Sequence, residues 1–288
     1  MNNYRVPTYQ RFEWINHAKV RRILERFLRP PKRGRKGYDK VTMFLWLMYK
    51  QVMGCSYRDL ESITGIDYST FIKFRKRLMQ RRWFSSVFNR LAHLLTPHLK
   101  QVAALLDSSF VETYSHRDED GSGYSGYKEK NGFKLHSLID FTTRLPLVQR
   151  TSPGNEADIT HGKRLLDRAP PALSVRGFAA DKGYDSEYFV MDIKHKWRRA
   201  GVAIPVRRMR QSGDPQPNLD AKHKDRSYDR SLYKKRTEIE RYFSRKKRVF
   251  RLGEEKTRHL ENFRANCYLT SIMEILEWLT NHPEVSLG

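Results

Sequence analysis

The stretch Val102-Ala103-Ala104-Leu105-Leu106-Asp107-Ser108-Ser109-Phe110 decides how the rest of the chain is read. An apolar run closes on a carboxylate, the pattern of a strand that carries an acid. The same device recurs where Gly177-Phe178-Ala179-Ala180 ends at Asp181 and opens the turn Lys182-Gly183-Tyr184-Asp185. A third acid, Glu240, lies inside the helical-looking stretch from Arg236 to Phe250. Two carboxylates at strand ends and a third on a later helix can hold a pair of divalent metal ions for phosphodiester chemistry.

Outward from Asp107, the periodicity predicts a strand over 102–113, then a Gly/Ser/charge-rich hairpin from Arg117 to Gly126. Phe133 to Phe141 alternates as a second strand and Leu145 to Arg150 as a third. Ala157 to Arg168 reads as a helix, Arg176 to Ala180 as a fourth strand, Glu187 to Arg198 as a helix and Val202 to Val206 as a fifth strand. A polar, Pro- and charge-rich stretch, 207–232, is expected to be a flexible basic loop. The Glu240 helix and a C-terminal helix from about Leu260 to Leu279 follow. Three strands, helix, strand, helix, strand, helix is the order of an α/β RNase H-like fold with a mixed five-stranded sheet. This unit is expected to span 98–288.

Before it, residues 1–97 read as all-helical. Residues 12–28 carry apolar positions at helical spacing and stop at Pro30-Pro31, and a basic stretch, Lys32 to Gly37, follows. That stretch is either a solvated linker or an arm that touches phosphates. The helix Asp39–Gly54 is apolar on most faces and should be buried. Residues 56–80 read as a short helix, a glycine turn at Gly65 and a second, basic helix, which matches helix-turn-helix geometry. Ser69, Thr70, Lys73 and Arg77 would present one polar face, with Phe71, Phe74 and Leu78 packed inward. An ordinary helical hairpin with a basic exterior is the plainer reading. A helix from Trp83 to Leu95 ends at Thr96-Pro97, a natural boundary.

Composition narrows the partner. Of 288 residues, 56 are Lys or Arg and 32 Asp or Glu, a formal charge of +24. Such an excess is the footprint of a nucleic-acid binder, which gains affinity by releasing counterions from phosphates. An anionic membrane surface is the other candidate. The two cysteines, Cys55 and Cys267, form no Cys-x-x-Cys pair, so no thiolate zinc site is expected and both read as core residues in a reducing compartment. The N-terminus lacks an apolar secretory core, and the longest apolar run, Met43 to Tyr49, is too short to span a bilayer. The expectation is a soluble cytoplasmic, nucleoid-associated protein with no membrane partner.

Two glutamates compete for the third acidic position. Glu238 and Glu240 point in widely different directions on a helix, whereas Arg236, Glu240, Phe243 and Lys247 share one side. The side with both a carboxylate and phosphate-binding cations favours Glu240. The bland alternative is an exposed Arg236–Glu240 salt bridge worth roughly a few tenths of a kcal/mol.

At these residues the chain resembles DDE transposases of bacterial and archaeal insertion sequences. Tyr233, Arg236, Glu240 and Lys247 reproduce that family's Tyr-Arg-Glu-Lys signature. Leu106-Asp107-Ser108-Ser109 looks like its first Asp motif and Ala180-Asp181-Lys182-Gly183-Tyr184-Asp185 like its second. Gly132-Phe133-Lys134-Leu135-His136 resembles its Gly-x-Lys-x-His strand, and Asn155-Glu156-Ala157-Asp158 its segment ahead of the first helix. The resemblance covers about residues 100–280, and the helix-turn-helix more loosely. It implies Asp107, Asp181 and Glu240 as catalytic metal ligands for two Mg²⁺ ions, with Mn²⁺ as substitute, and Asp107 as the bridge. It implies that Tyr233, Arg236 and Lys247 contact phosphates at the element's end and that Lys134 and His136 face the site. The partner would be double-stranded DNA, both terminal inverted repeats and target, with a homodimer in the synaptic complex. The empty site is expected to be poorly ordered through carboxylate repulsion. An RNase H-like nuclease that cuts without joining, or a helix-turn-helix regulator with a vestigial site, are the competing readings.

Overall fold

The computed structural model describes residues 6–7, 10–29, 37–99, 102–113, 120–206, 229–254 and 258–286. The basic stretch at 32–36, residues 114–119 of the Arg117–Gly126 hairpin and 207–228 of the basic loop lie outside them.

The helical half contains α1 (Ala18–Phe27), α2 (Lys40–Met53), α3 (Tyr57–Thr64), α4 (Tyr68–Gln80) and α5 (Trp83–Leu95). The single helix expected over 12–28 is broken in two. Gln10–Asn16 winds as a 3₁₀ turn, because the Asn16 amide both accepts from Val6 N at 3.0 Å and donates to Val6 O at 2.8 Å. His17 then caps α1 by accepting from Lys19 N at 3.1 Å. Elsewhere local chemistry sets the ends as the sequence predicts. Asp39 caps α2 through Thr42 N, and Gly54 ends it with φ +67°, a left-handed conformation that glycine adopts without a Cβ clash. Ser56 and Asp59 form a capping box on α3, Gly65 turns the chain, and Asp67 caps α4 through Ser69 N at 2.8 Å.

The sheet has one more strand than expected. Its members are β1 (Val102–Glu112), β2 (Gly123–Ser125), β3 (Lys130–Asp140), β4 (Pro146–Pro153), β5 (Val175–Ala180) and β6 (Gly201–Ala203). They run in the order β2-β3-β1-β5-β6, with β4 also paired to β3. β3 lies antiparallel to β1 and β4, while β1, β5 and β6 are parallel. Helices α6 (Asp158–Arg168), α7 (Glu187–Lys196), α8 (Arg230–Lys234), α9 (Thr237–Arg248) and α10 (Leu260–Asn281) complete the chain. The loop expected to reach residue 232 therefore ends earlier, where Asp229 caps α8 through Ser231 N at 2.7 Å. The fifth expected strand is shorter than 202–206, because its pairing to β5 stops at Ala203.

Alternation along the strands feeds two layers. Leu106, Leu138 and Phe178 pack with Leu165 of α6 and Phe189 of α7. Leu105, Ile139 and Ala179 pack on the other face with Ile239 and Tyr242 of α9 and Phe263 of α10. Each fully buried leucine contributes roughly 1.5–3 kcal/mol. The result is the α/β RNase H-like arrangement, a mixed sheet with helices on both faces. The far half of α10 leaves that layer, and Ile272, Leu276 and Leu279 join the core made by α1, α2 and α5. Cys267 is buried and Cys55 only half-buried; neither forms a disulfide. No described helix is long and apolar enough to cross a membrane.

Candidate active site

The first two acids are neighbours because their strands are. In the parallel β1–β5 register Leu106 pairs with Ala180, so Asp107 and Asp181 are the next residues along adjacent strands. Each carboxylate accepts the N–H of the residue after it: Ser108 N to Asp107 Oδ1 at 2.8 Å, Lys182 N to Asp181 Oδ1 at 2.7 Å. Helix α9 brings the third. Arg236, at its N-cap position, donates to Asp107 Oδ2 at 3.1 Å and to Glu240 Oε1 at 2.9 Å. One guanidinium therefore lies between a strand acid and a helix acid. Glu238 points elsewhere, pairing with Arg144 at 2.6 Å and with Arg241.

Electrostatics at the cluster follow from burial and crowding. Burial pushes the Asp107 carboxyl up to about 6, against the opposing pull of the Ser108 N–H and Arg236; Asp181 and Asp158 add to the rise. Repulsion between acids is thus a smaller cause than desolvation. For Arg236, burial pulls downward but Asp107, Tyr233, Asp181 and Glu240 outweigh it, holding the guanidinium above its ordinary value. The chain's own cation, Arg236, pairs with two of these acids and so offsets part of their repulsion. Asp158 is a fourth acid that sequence reading left as part of a motif ahead of α6. Its signal was there, in Asn155-Glu156-Ala157-Asp158, but only the fold shows that its charge reaches Asp107. The buried Tyr184 phenol is likewise pushed up, first by burial and then by Asp158, Asp107 and Asp181.

The cations differ in what holds them. Arg236 stands among the acids, with its guanidinium carbon 5.8 Å from the centroid of the Tyr233 ring. Lys247 is tied to the sheet: its Nζ donates to Phe110 O at 2.8 Å, and burial, followed by Lys128, lowers its pKa. Lys134 donates to Glu156 O at 2.9 Å and Asp158 Oδ1 at 3.0 Å. Lys73 and Arg77 are exposed on α4, whereas Arg75 on the same helix is bound to Asn262 and Asn266 of α10.

His136 is fully buried on the opposite face of the sheet from Asp107, because its register partner is Ser108. It stacks on His161 at 4.2 Å and meets Ser152 Oγ through Nε2 at 2.8 Å. Burial, then His161, lowers its pKa well below the usual range, so it is neutral. The Gly132 that opens this strand motif has a packing reason: a Cβ there would lie 2.3 Å from Val111 O.

Among the described residues no three His, Cys, Asp or Glu side chains stand close enough to chelate one ion as placed. The donor set nevertheless suits a hard divalent cation. It is all carboxylate oxygen, and a single monovalent guanidinium now balances Asp107 and Glu240 while also feeling Asp181.

Comparison with known proteins follows the same residues. Residues 98–274 match the family model described as a transposase DDE domain. Among solved structures, the chain is similar to the cryo-EM structure of the piggyBac transposase synaptic complex with hairpin DNA. That match has a TM-score of 0.50 at 11% identity, over 96% of this chain and 76% of the other, a likeness of fold. A search of curated protein sequences finds no match.

Proposed function

The chain belongs to the transposase DDE-domain family, and we propose that it acts as an insertion-sequence transposase that cuts DNA at an element's terminal inverted repeats and joins the freed ends to target DNA. The observation that carries this reading is that three acids from distant parts of the sequence converge on one guanidinium, Arg236. Asp107 and Asp181 stand side by side on neighbouring strands, and Glu240 reaches Asp107 through Arg236.

Asp107, Asp181 and Glu240 would hold two divalent ions, Mg²⁺ or Mn²⁺. Bound there, such ions activate an attacking oxygen and stabilise the leaving one. Ionised acids are needed for this, and the elevated pKa of Asp107 makes its deprotonation part of loading the site. In the first step a water oxygen bonds to phosphorus, the bond to the 3′-oxygen breaks, and that oxygen leaves as the 3′-hydroxyl after taking a proton. In the second, this hydroxyl attacks a target phosphodiester and releases a new 3′-hydroxyl. Arg236, whose guanidinium lies over the Tyr233 ring, would take a phosphate oxygen beside the acids. Lys247 would act from its anchor on the Phe110 carbonyl and Lys134 from its pairing with Asp158. Residues 1–97 would form the unit that reads the repeats, with Lys73 and Arg77 of α4 toward the duplex, and 98–288 the catalytic unit. Two copies would bring two ends together.

The test uses labelled duplexes bearing element ends, Mg²⁺ or Mn²⁺, and a supercoiled target, with wild type run beside Asp107→Asn and Glu240→Gln. Joined products that vanish in both variants while DNA binding persists support the reading. Cutting without joining replaces it with a nuclease, and binding without cutting with a regulator.

A further inference from the structure

A cleft of about 860 Å³ opens between the helical half and the edge of the sheet, where the turn from α4 to α5 faces β4 and the end of α6. Four arginines line it: Arg82 from the turn, Arg150 from β4, Arg168 from α6 and Arg264 from α10. Among the described residues its wall carries one carboxylate, Glu261, which is already paired with Arg264 at 2.5 Å. Neither Arg82 nor Arg168 has an acidic partner among the described residues. The crowding is felt by the guanidinium of Arg150, which is shifted down by burial and then by Arg168, Arg164 and Arg264. Gathering like charges costs free energy, and an anion seated among them recovers it.

The cleft is not part of the acid cluster. Arg150 lies on the sheet face opposite to Asp107, since it pairs with His136 and His136 with Ser108, while Thr151, bonded by Arg264, lines the cleft from the other face, so the cleft wraps the β4 edge of the sheet. Two strand spacings, about 10 Å, also separate β4 from β1. A phosphate chain held at the acids therefore does not fill the cleft, and an arginine-lined groove suits bidentate contacts to phosphate oxygens.

We propose that this cleft is a second seat for the phosphodiester backbone of DNA, separate from the catalytic acids. The proposal rests on the transposase reading, which supplies DNA as the polyanion, and would place a segment other than the one being cut. The test uses the full chain with a photocrosslinking residue in place of Asn89, a residue of the cleft wall, and a labelled duplex in chelator. Wild type should crosslink, unlabelled duplex should compete, and tripolyphosphate at equal phosphate concentration should not. Arg82→Gln with Arg168→Gln should cut the crosslink about tenfold at moderate salt and reduce the slope of log affinity against log salt by about 2, near 0.9 per phosphate. Arg82→Lys with Arg168→Lys should restore both, and unchanged thermal unfolding shows that the Gln pair folds. An unchanged crosslink in the Gln pair overturns the proposal, as does full competition by tripolyphosphate, which would make the cleft a small-phosphate site. No crosslink from a wild type that still binds duplex in chelator, and cuts it once Mg²⁺ is added, overturns the cleft alone. No binding and no cutting overturns the transposase reading with it.

Discussion

Helix α9 carries an ion cluster at each end, and the two are built for opposite purposes. At its C-terminal end Lys246 is fully buried, donating to Thr270 Oγ1 at 3.1 Å and Ser271 Oγ at 2.7 Å and pairing with Glu274 at 3.0 Å. Burial lowers the lysine and raises the glutamate, and each partly restores the other. At its N-terminal end Arg236 holds Asp107 and Glu240, but the Glu240 side chain is 57% exposed. The first cluster has its contacts closed inside protein and fastens α9 to α10. The second opens to solvent, so its pairing can be exchanged for another. One helix thus has one pair closed in the interior and another open to exchange.

The largest effects should separate the ends by kind. Glu240→Gln or Asp181→Asn should lower single-turnover cleavage of a labelled end substrate by about 10³-fold or more, several kcal/mol of transition-state stabilisation. Glu238→Gln, two residues away but paired with Arg144 and Arg241, should stay within a few-fold; a comparable loss there would break the assignment of roles along α9.

Lys246→Met should act on stability instead, costing about 3–5 kcal/mol in urea unfolding because Glu274 is left buried and unpaired. Adding Glu274→Leu should recover most of that cost. If the double variant is as unstable as the single, the pair is not what fastens the helices.

The open end should also report itself through pH. Because burial raises Asp107 to about 6 in the folded chain, its contribution to stability is full below the ordinary carboxylate value and is lost as pH rises through 6. In chelator, unfolding temperature measured between pH 4 and 7 should fall across this window by the equivalent of roughly 1–3 kcal/mol. Asp107→Asn should flatten that fall, and a variant with an unchanged profile would remove Asp107 as its source. The smallest effect belongs to Arg241→Ala: its side chain is 66% exposed, so urea unfolding should show a loss of at most about 1 kcal/mol.

Much of this was readable from residues because short-range chemistry decides it. Asp39, Ser56, Gly65 and Asp67 mark helix ends by capping and by left-handed φ, and Asp107 and Asp181 follow runs that had to be strands. What escaped depends on distant pairing. β2 is three residues that become a strand only because Gly123 and Tyr124 meet Gly132 and Asn131. The break before α1 follows from Asn16 gripping Val6. Lys247 carries a positive charge in the sequence, but only the fold shows that its amine is tied to a β1 carbonyl. The arginine cleft draws one residue from each of four separate segments, and no window of sequence contains it.

The guanidinium between Asp107 and Glu240 has a further consequence. On the proposed reading, an ion that took the Asp107 and Glu240 oxygens now bonded to Arg236 would bind only molecules whose Arg236 has swung aside, so its apparent affinity would be the intrinsic one multiplied by that fraction. The chain carries its own competitor, tethered at a fixed effective concentration that dilution does not change. Any anion that drew Arg236 away would make the same carboxylates better ligands, and by reciprocity an ion on the carboxylates would free Arg236 for the anion. Loading of cation and of phosphate would then be one linked equilibrium, set by a single side chain.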